Sequence, residues 1–439
     1  MATQDTINAP AAAAGRQLND PALLRRRYAA ERRFQAYGLF AISLALFFLV
    51  VLFSSIISQG WTAFLQSSVQ LQVALDKSEF TDSDGNVTDK SIRLANYNKL
   101  ARDSLQNALG LEKLSRPERR DLRRLLSRGI DVQIRDVVNA DRSVIGQTVP
   151  IWVLASDNVD ALLKGSIDRN VPEERRQLNN RQVAWVDKLV EDGVLKKNFN
   201  WGLFTFGASS QPETAGLGVA LIGSFFMMLI VALVAVPIGV AAAAYLEEFA
   251  PKNTITDIIE VNINNLAAVP SIVFGLLGLA IFINFFGLPR SASLVGGLVL
   301  SLMTLPTVII ATRAAIRAVP PSIREAALGV GASRMQTLFH HVLPLALPGI
   351  LTGTIIGLVQ ALGETAPLLM IGLVAFVVDY PSTPMDPATA LPVQIYMWAN
   401  SAERGFVERT MGATIVLLVF LFVMNAAAVY LRRRFERKW

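Results

Sequence analysis

Six stretches of this chain run for 20 residues or more with no charged side chain, or with a single one, and a water-soluble fold has no way to solvate them. Gly38–Ile57 holds 20 uncharged residues. No charge lies between Glu213 and Glu247, between Glu260 and Arg290, from Ser291 to Thr312, or from Thr410 to Leu431. Val342–Val378 carries Glu364 as its only charge. At about 1.5 Å of rise per residue, about 20 apolar residues cover the roughly 30 Å hydrocarbon core of a bilayer, so each stretch is predicted to cross once. Together they occupy more than a third of the 439 residues, consistent with 17% charged residues and a mean hydropathy of +0.41. The first run is read as a permanent anchor. It is too long for a signal-peptide core, begins far from Met1 and has no clear small-residue cleavage site after it.

The basic residues orient these spans. Arg16, Arg25, Arg26, Arg27, Arg32 and Arg33 precede the first, and Arg432, Arg433, Arg434, Arg437 and Lys438 follow the last. Six crossings return the chain to its starting side, so both termini are expected in the cytoplasm. The loop with Arg313, Arg317, Arg324 and Arg334 falls on the same side, while the short outer loops hold Arg290, Arg404 and Arg409. A pI near 9.6 is thereby explained by topology, and no nucleic-acid-binding module is recognisable.

Most of the remaining charge lies in one block, residues 59–215, with 22 Lys or Arg and 21 Asp or Glu. By parity it is extracytoplasmic, and at this size it can fold alone. Leucines at three- and four-residue intervals make Leu100–Gly129 helical, with Pro117 opening a new helix. Ile130–Val137 and Val149–Leu154 read as strands. Asp82, Asp84 and Asp89 do not have the spacing or final Glu of a calcium-binding EF-hand. There is no cysteine, hence no disulfide or thiolate metal site.

The inner loop is the most informative segment. In PPSIREAALGVG, Ser322 and Glu325 are spaced as a capping box that would start a helix after Pro320 and Pro321. Ala326 and Ala327 keep one face small, Gly331 can end the helix, and a second short helix is expected from Ser333 to His341. Pro344 suits the first turn of the next span. Such a helix pair suits docking into a groove of another protein, although a simple capped surface helix fits the same residues.

Glu325-Ala326-Ala327, Gly331 and the later Leu343-Pro344 resemble the EAA signature of permease subunits of binding-protein-dependent ABC importers. The resemblance implies a type I importer permease fold. It also implies that Glu325, Ala326, Ala327, Gly331, Leu343 and Pro344 couple the spans to a cleft on a partner ATP-binding subunit. His341 stands where that family usually has an apolar residue. Two further segments, NLAAVPSIVFG at Asn265–Gly275 and LGETAPLL at Leu362–Leu369, resemble the third- and fifth-span motifs of the phosphate-specific permeases, the latter in its A-type form. A long block after the first span is similar to the longer variant of that subunit. The implied partners are an ATP-binding subunit dimer, a sister C-type permease, an extracytoplasmic phosphate-binding protein and the lipid bilayer. No cofactor is implied on this chain, and ATP and Mg belong to the ATPase. The implied location is the bacterial inner membrane.

Within the fifth span, Gly349, Gly353, Gly357 and Ala361 form a small-residue seam for close helix packing. Gln360 and Glu364 lie four apart on an adjacent face. A carboxylate at membrane depth costs at least about 2.5 kcal/mol, so Glu364 should face a cavity or partner, or else sit nearer the outer interface in a structural hydrogen bond. Beside an anion it would be protonated or paired with a cation such as Arg313. A polar path through Gln360, Glu364, Thr365 and Thr312, with Arg313 as a possible counter-charge, is the expectation. Related subunits often carry Arg where this chain has Gln360. Pro237, Pro270, Pro306 and Pro367 are expected inside spans.

The chain lacks GxxxxGK[ST], HExxH and GxSxG, which argues against P-loop ATP binding and the common hydrolase arrangements. Adjacent His340 and His341 point to different helix faces and do not suit a metal. The expected fold class is an all-α polytopic membrane protein with a mixed, mainly helical extracytoplasmic domain. Its parts are a cytoplasmic tail (1–36), a first transmembrane helix (37–58), the extracytoplasmic domain (59–215), a permease core (216–432, coupling loop 313–344) and a basic tail (433–439). The expected function is a non-catalytic permease subunit for phosphate. The alternatives are a permease for phosphonate, sulfate or molybdate, or a membrane-anchored sensor, although the latter would need a larger cytoplasmic output domain.

Overall fold

The computed structural model describes residues 21–82 and 86–435. Arg16, Asp84, Arg437 and Lys438, and the outer parts of the two tails, lie outside these residues. The chain divides into two units, residues 1–58 and 59–439. The first is the greater part of one helix, α1 (Pro21–Gly60), apolar on every side through its central run, as a lipid-solvated helix should be.

The second unit opens with the inserted block. Its sheet has the order β2-β1-β3, all antiparallel, with β1 (Leu65–Ala74) central, β2 (Thr148–Leu154) on one side and β3 (Leu195–Phe199) on the other. Helices α2 (Asp89–Leu94), α3 (Tyr97–Ala108), α4 (Arg116–Arg123), α5 (Ile130–Ala140), α6 (Asp157–Leu163), α7 (Asn180–Glu191) and α8 (Gly202–Thr205) complete the block. Leu71, Val73, Leu105, Ile134, Val153 and Val186 are fully enclosed in one continuous core. The expectation of a strand at Ile130–Val137 is corrected here: the segment is α5. Its β-branched residues favour strands locally, but Ile130, Ile134 and Val138 recur every four positions, and as a helix they bury one face in that core. Leu100–Gly129 holds two helices, with Pro117 in the first turn of α4 as expected.

The rest of the unit is a helical membrane body built from α9 (Gly218–Glu248), α10 (Thr254–Ala267), α11 (Ser271–Gly278), α12 (Ser293–Arg317), α13 (Pro321–Gly329), α14 (Arg334–Thr337), α15 (Leu343–Gly363), α16 (Ala366–Met370), α17 (Leu391–Ala399) and α18 (Gly405–Phe435). Among the described residues of the whole chain five helices are long and apolar enough to cross a membrane. A sixth crossing is available only as a bent pair, α10 with α11 and its continuation to Phe285, folded by 102°. The third apolar run is therefore broken, not one straight helix, and Pro270 marks the break: it caps α11, where its fixed φ starts a helix and its missing N–H ends one. Pro237 and Pro306 do lie inside spans, but Pro367 opens the short α16.

Two further expectations change. α13 begins at Pro321 with Pro320 as its N-cap, so Ser322 sits inside the first turn and forms no capping box with Glu325; proline at the first position supplies the helical φ in advance. The capping box of this loop is Ser333 with Gln336. The helix it starts does not stop at His341: a π-turn over Leu338–Val342 carries it into α15 as one continuous helix, Arg334–Gly363. Gly331, with φ of +91°, separates it from α13 as expected.

Candidate functional site

Three places in the membrane body gather the residues singled out by sequence. The first is the seam of α15. A Cβ on Gly349 would stand 2.6 Å from the Ala315 methyl, and one on Gly353 would collide with the Ala311 methyl, whereas Gly357 has 3.7 Å to Thr304 and Val308. The pairs 349 with 315 and 353 with 311 fix α15 antiparallel to α12. Carried along, this register sets Glu364 level with about Leu300, some 12 residues or roughly 18 Å from Thr312 and Arg313. Arg313 therefore cannot pair with Glu364. Its guanidinium, 7% exposed, bonds Glu247 at 2.6 Å and also pairs with Glu260. Thr312 is completely buried and its hydroxyl finds no partner in the described residues.

The second place is the meeting of two breaks. α15 ends at Gly363, and Glu364, partly buried, is its extended C-cap (φ −81°, ψ 130°), followed by Thr365 and the short α16. Glu364 is thus in a gap between helices and not within a helical span, because Pro367 requires a fresh helix start. Gln360, in the last turn of α15, is exposed. Across from this gap lies the other broken segment: a Cβ on Gly275 would be 2.7 Å from the Pro367 Cα and 2.9 Å from its carbonyl oxygen. The two sequence segments, NLAAVPSIVFG and LGETAPLL, are brought into backbone contact. Interrupted helices at membrane depth are sustained only where protein or a water-filled cavity satisfies the freed peptide groups, the arrangement from which transport sites are built.

The third place is the loop end of the bundle. Glu247 and Glu248 occupy the C-terminus of α9, where the helix dipole disfavours acids, and three arginines offset them. Arg313 and Arg317 bond Glu247 at 2.6 and 2.8 Å. Arg324, the residue before Glu325, has three partners: Glu248 at 2.9 Å, the Val319 carbonyl at 2.7 Å and the Ile316 carbonyl at 2.8 Å. It closes the C-terminus of α12 and ties α13 to α9 in one stroke. Ala327 is buried beneath this loop, while Glu325, Ala326 and Gly331 are exposed, as are Leu328, Val330, Met335 and Phe339; Val330 is 86% exposed. Leu343 and Pro344 are half-buried, and His340 and His341 are exposed in the π-turn.

Sequence reasoning missed Glu247, Glu248 and Glu260 as partners of these arginines. The signal was a pair of acids at the end of the second apolar run, an unfavourable place unless cations meet them. It also missed a charge cluster joining the inserted block to α18. Lys164 pairs with Asp160 at 2.5 Å and with Glu408 at 2.8 Å, and Glu213 accepts from Ser127 at 2.8 Å. Arg409, expected in an outer loop, is buried inside α18 with one guanidinium nitrogen lacking a hydrogen-bond partner. Burial foremost, then the charges of Glu213 and Asp160, push the Asp157 carboxyl up to about 6. No spacing could have shown this, because Lys164 and Glu408 lie 244 residues apart.

The fold is that of a polytopic helical membrane protein with a helix pair at its loop end and interrupted helices within the membrane body. Residues 235–439 match the family described as binding-protein-dependent transport system inner membrane component, and residues 22–173 match a domain of unknown function, DUF3333. The chain is 32% identical over 266 residues to a probable ABC transporter permease, YqgI, of Bacillus subtilis, covering 57% of this chain and 88% of that one. It is 32% identical over 226 residues to the phosphate transport system permease protein PstA 1 of Mycobacterium tuberculosis, covering 52% and 73%. Among solved structures it is similar to the inward-facing MetNI methionine ABC transporter, at 18% identity and a TM-score of 0.40 over 51% of this chain and 95% of that one. The chain belongs to the PstA-type permeases of binding-protein-dependent ABC importers, as a long form with an additional domain, and is a multi-pass inner-membrane protein.

Proposed function

We propose that this chain is the A-type permease half of an ATP-driven phosphate importer, with ATP hydrolysed by a partner subunit and not by this chain. The observation that carries the mechanism is Arg324. It fastens α13 to the ends of both α9 and α12, so a force applied to the loop reaches two spans without being absorbed by loop flexibility. The exposed Leu328, Val330, Met335 and Phe339 around α13 and α14 supply an apolar surface for the ATP-binding dimer, with Glu325, Ala326 and Gly331 exposed at its centre and Ala327 packed beneath it. ATP binding closes the dimer, the loop moves, and α12 and α15 shift together along their glycine seam.

In this reading both termini and the coupling loop face the cytoplasm, the inserted domain is extracytoplasmic, and a C-type sister subunit completes the pathway that receives phosphate from a binding protein. The substrate passes the paired breaks, where Gln360, Glu364 and Thr365 line the path. Thr312 and Arg313 act at a second depth, nearer the coupling loop. With Arg313 engaged by two carboxylates, the positive counter-charge at Glu364's level comes from the sister subunit.

Uptake of radiolabelled phosphate by the reconstituted complex, with sulfate and phosphonate as competitors, tests the substrate. Sulfate uptake without phosphate uptake would reject phosphate and leave the permease reading intact. For the site, Glu364→Ala is expected to abolish uptake in an assembled complex, and unchanged uptake would remove Glu364 from the path.

A further inference from the structure

The inserted domain contains a cavity of about 920 Å³ that none of the foregoing uses. Its wall is arginine-rich: Arg120, Arg123, Arg124 and Arg128 from α4 and the segment after it, with Arg404 arriving from the connection just before α18. Elsewhere in the same domain three arginines find acids: Arg142 pairs with Asp89, Arg169 with Asp187 and Arg181 with Glu118. Among the described residues five of the six cavity arginines have no ion-pair partner, while the sixth, Arg102, pairs with Asp103. Six arginines against three acids thus give this one concave surface a net positive charge within a block that is almost balanced. Arg120 and Arg123 stand three apart in the last turn of α4, a spacing at which like charges on a helix repel, and Arg124 and Arg128 follow directly after it. That repulsion is a standing cost that a bound anion would remove.

We propose that this cavity binds a soluble, multiply charged phosphate anion of the condensed-phosphate class. Guanidinium forks match phosphate oxygens in pairs, and several of them around one concavity suit a ligand with more than one phosphoryl group. The volume points the same way, since about 300–1,000 Å³ is typical of small-molecule sites and far exceeds one orthophosphate. The acids at the cavity, Asp157, Glu213 and Glu403, set the ligand's position. They repel it from the buried floor at Glu213 and direct it to the α4 side. Because Arg404 immediately precedes Gly405, the first residue of α18, an occupant would bridge the inserted domain to the start of the last span. The proposal stands on the cavity and does not depend on which substrate is transported.

The test uses the purified, assembled complex and isothermal titration at low salt with orthophosphate, pyrophosphate and tripolyphosphate, and separately with vesicles of phosphatidylglycerol. Tripolyphosphate is expected to bind most tightly, orthophosphate least. The double variant Arg123→Ser with Arg124→Ser should weaken tripolyphosphate binding tenfold or more, whereas Lys196→Ser with Lys197→Ser, an equal charge change on β3, should leave it within twofold. Arg404→Ala, outside the domain core, should weaken it as well and guards against misfolding of the double variant. No binding of tripolyphosphate, equal loss in the lysine control, or binding of vesicles in place of the soluble anions would each overturn the proposal.

Discussion

The two ends of the membrane body hold charge clusters of similar size, and they are built differently. At the loop end Arg313, Arg317 and Arg324 each meet a carboxylate, and Arg324 closes two helix-end carbonyls besides. At the junction of the inserted domain with α18, Asp157, Asp160, Glu213 and Glu408 face Lys164 and Arg409. There acids outnumber bases, one carboxyl is pushed up to about 6, and one arginine nitrogen is left unpaired. A fully matched network transmits force and resists change, while an imperfectly matched one holds a charge state that solution conditions can shift. In the proposed function the loop end is the stiff coupling and the domain junction the adjustable one.

The largest test of this contrast is Arg324→Ala. It would leave Glu248 at an α9 terminus without its cation and uncap α12, a local loss of about 2–4 kcal/mol. ATP-driven uptake should fall at least about tenfold, while the stimulated ATPase activity of the complex persists and becomes uncoupled. Arg324→Lys should rescue little, since one ammonium cannot reproduce a fork that reaches three acceptors. Uptake at the normal rate in the alanine variant would show that the loop end is not the stiff coupling.

Next in size is the seam that must move with that coupling. Gly353→Ala would drive a methyl into Ala311 and is expected to cost about 1–3 kcal/mol, read as a lower melting temperature of the solubilised complex. Gly357→Ala, one turn away with 3.7 Å to its neighbours, should change it by less than about 0.5 kcal/mol. Equal effects at the two glycines would refute the antiparallel register on which the separation of Glu364 from Arg313 rests.

How much of this was legible in the sequence follows from what each feature depends on. Apolar run length alone located five of the long membrane helices, since bilayer thickness sets it and no partner is needed. The EAA segment was legible because its residues stand close together in sequence. The bend at Pro270 and the end of α15 at Gly363 were not: charge-free length says nothing about continuity, and a proline can sit within a span, as Pro306 does, or terminate one. Ser322 misled because a proline two residues earlier had already taken the capping position. The strand expectation at Ile130–Val137 weighed β-branching above four-residue spacing, and tertiary burial decided for the helix. Ion pairs such as Lys164 with Glu408 depend on how distant segments meet, which no local pattern encodes.

The smallest expected effect belongs to the adjustable junction and carries a definite sign. Asp157 has a folded-state value of about 6 against an ordinary 3.8, so between these values the folded chain binds more protons than the unfolded one. Its contribution therefore makes stability fall as pH rises from about 4 to about 6, with a plateau above, and the full shift corresponds to about 3 kcal/mol. Asp157→Asn removes that penalty but also takes a counter-charge from Arg409, so a net gain of about 1–2 kcal/mol is expected at pH 7. The gain should shrink through the same window and vanish below about pH 4, where the wild-type carboxyl is protonated in both states. Melting temperatures of the two complexes across pH 4–8 measure it. A difference independent of pH would mean that Asp157 acts through packing against Gly405 at the start of α18, and the junction would then be as fixed as the loop end.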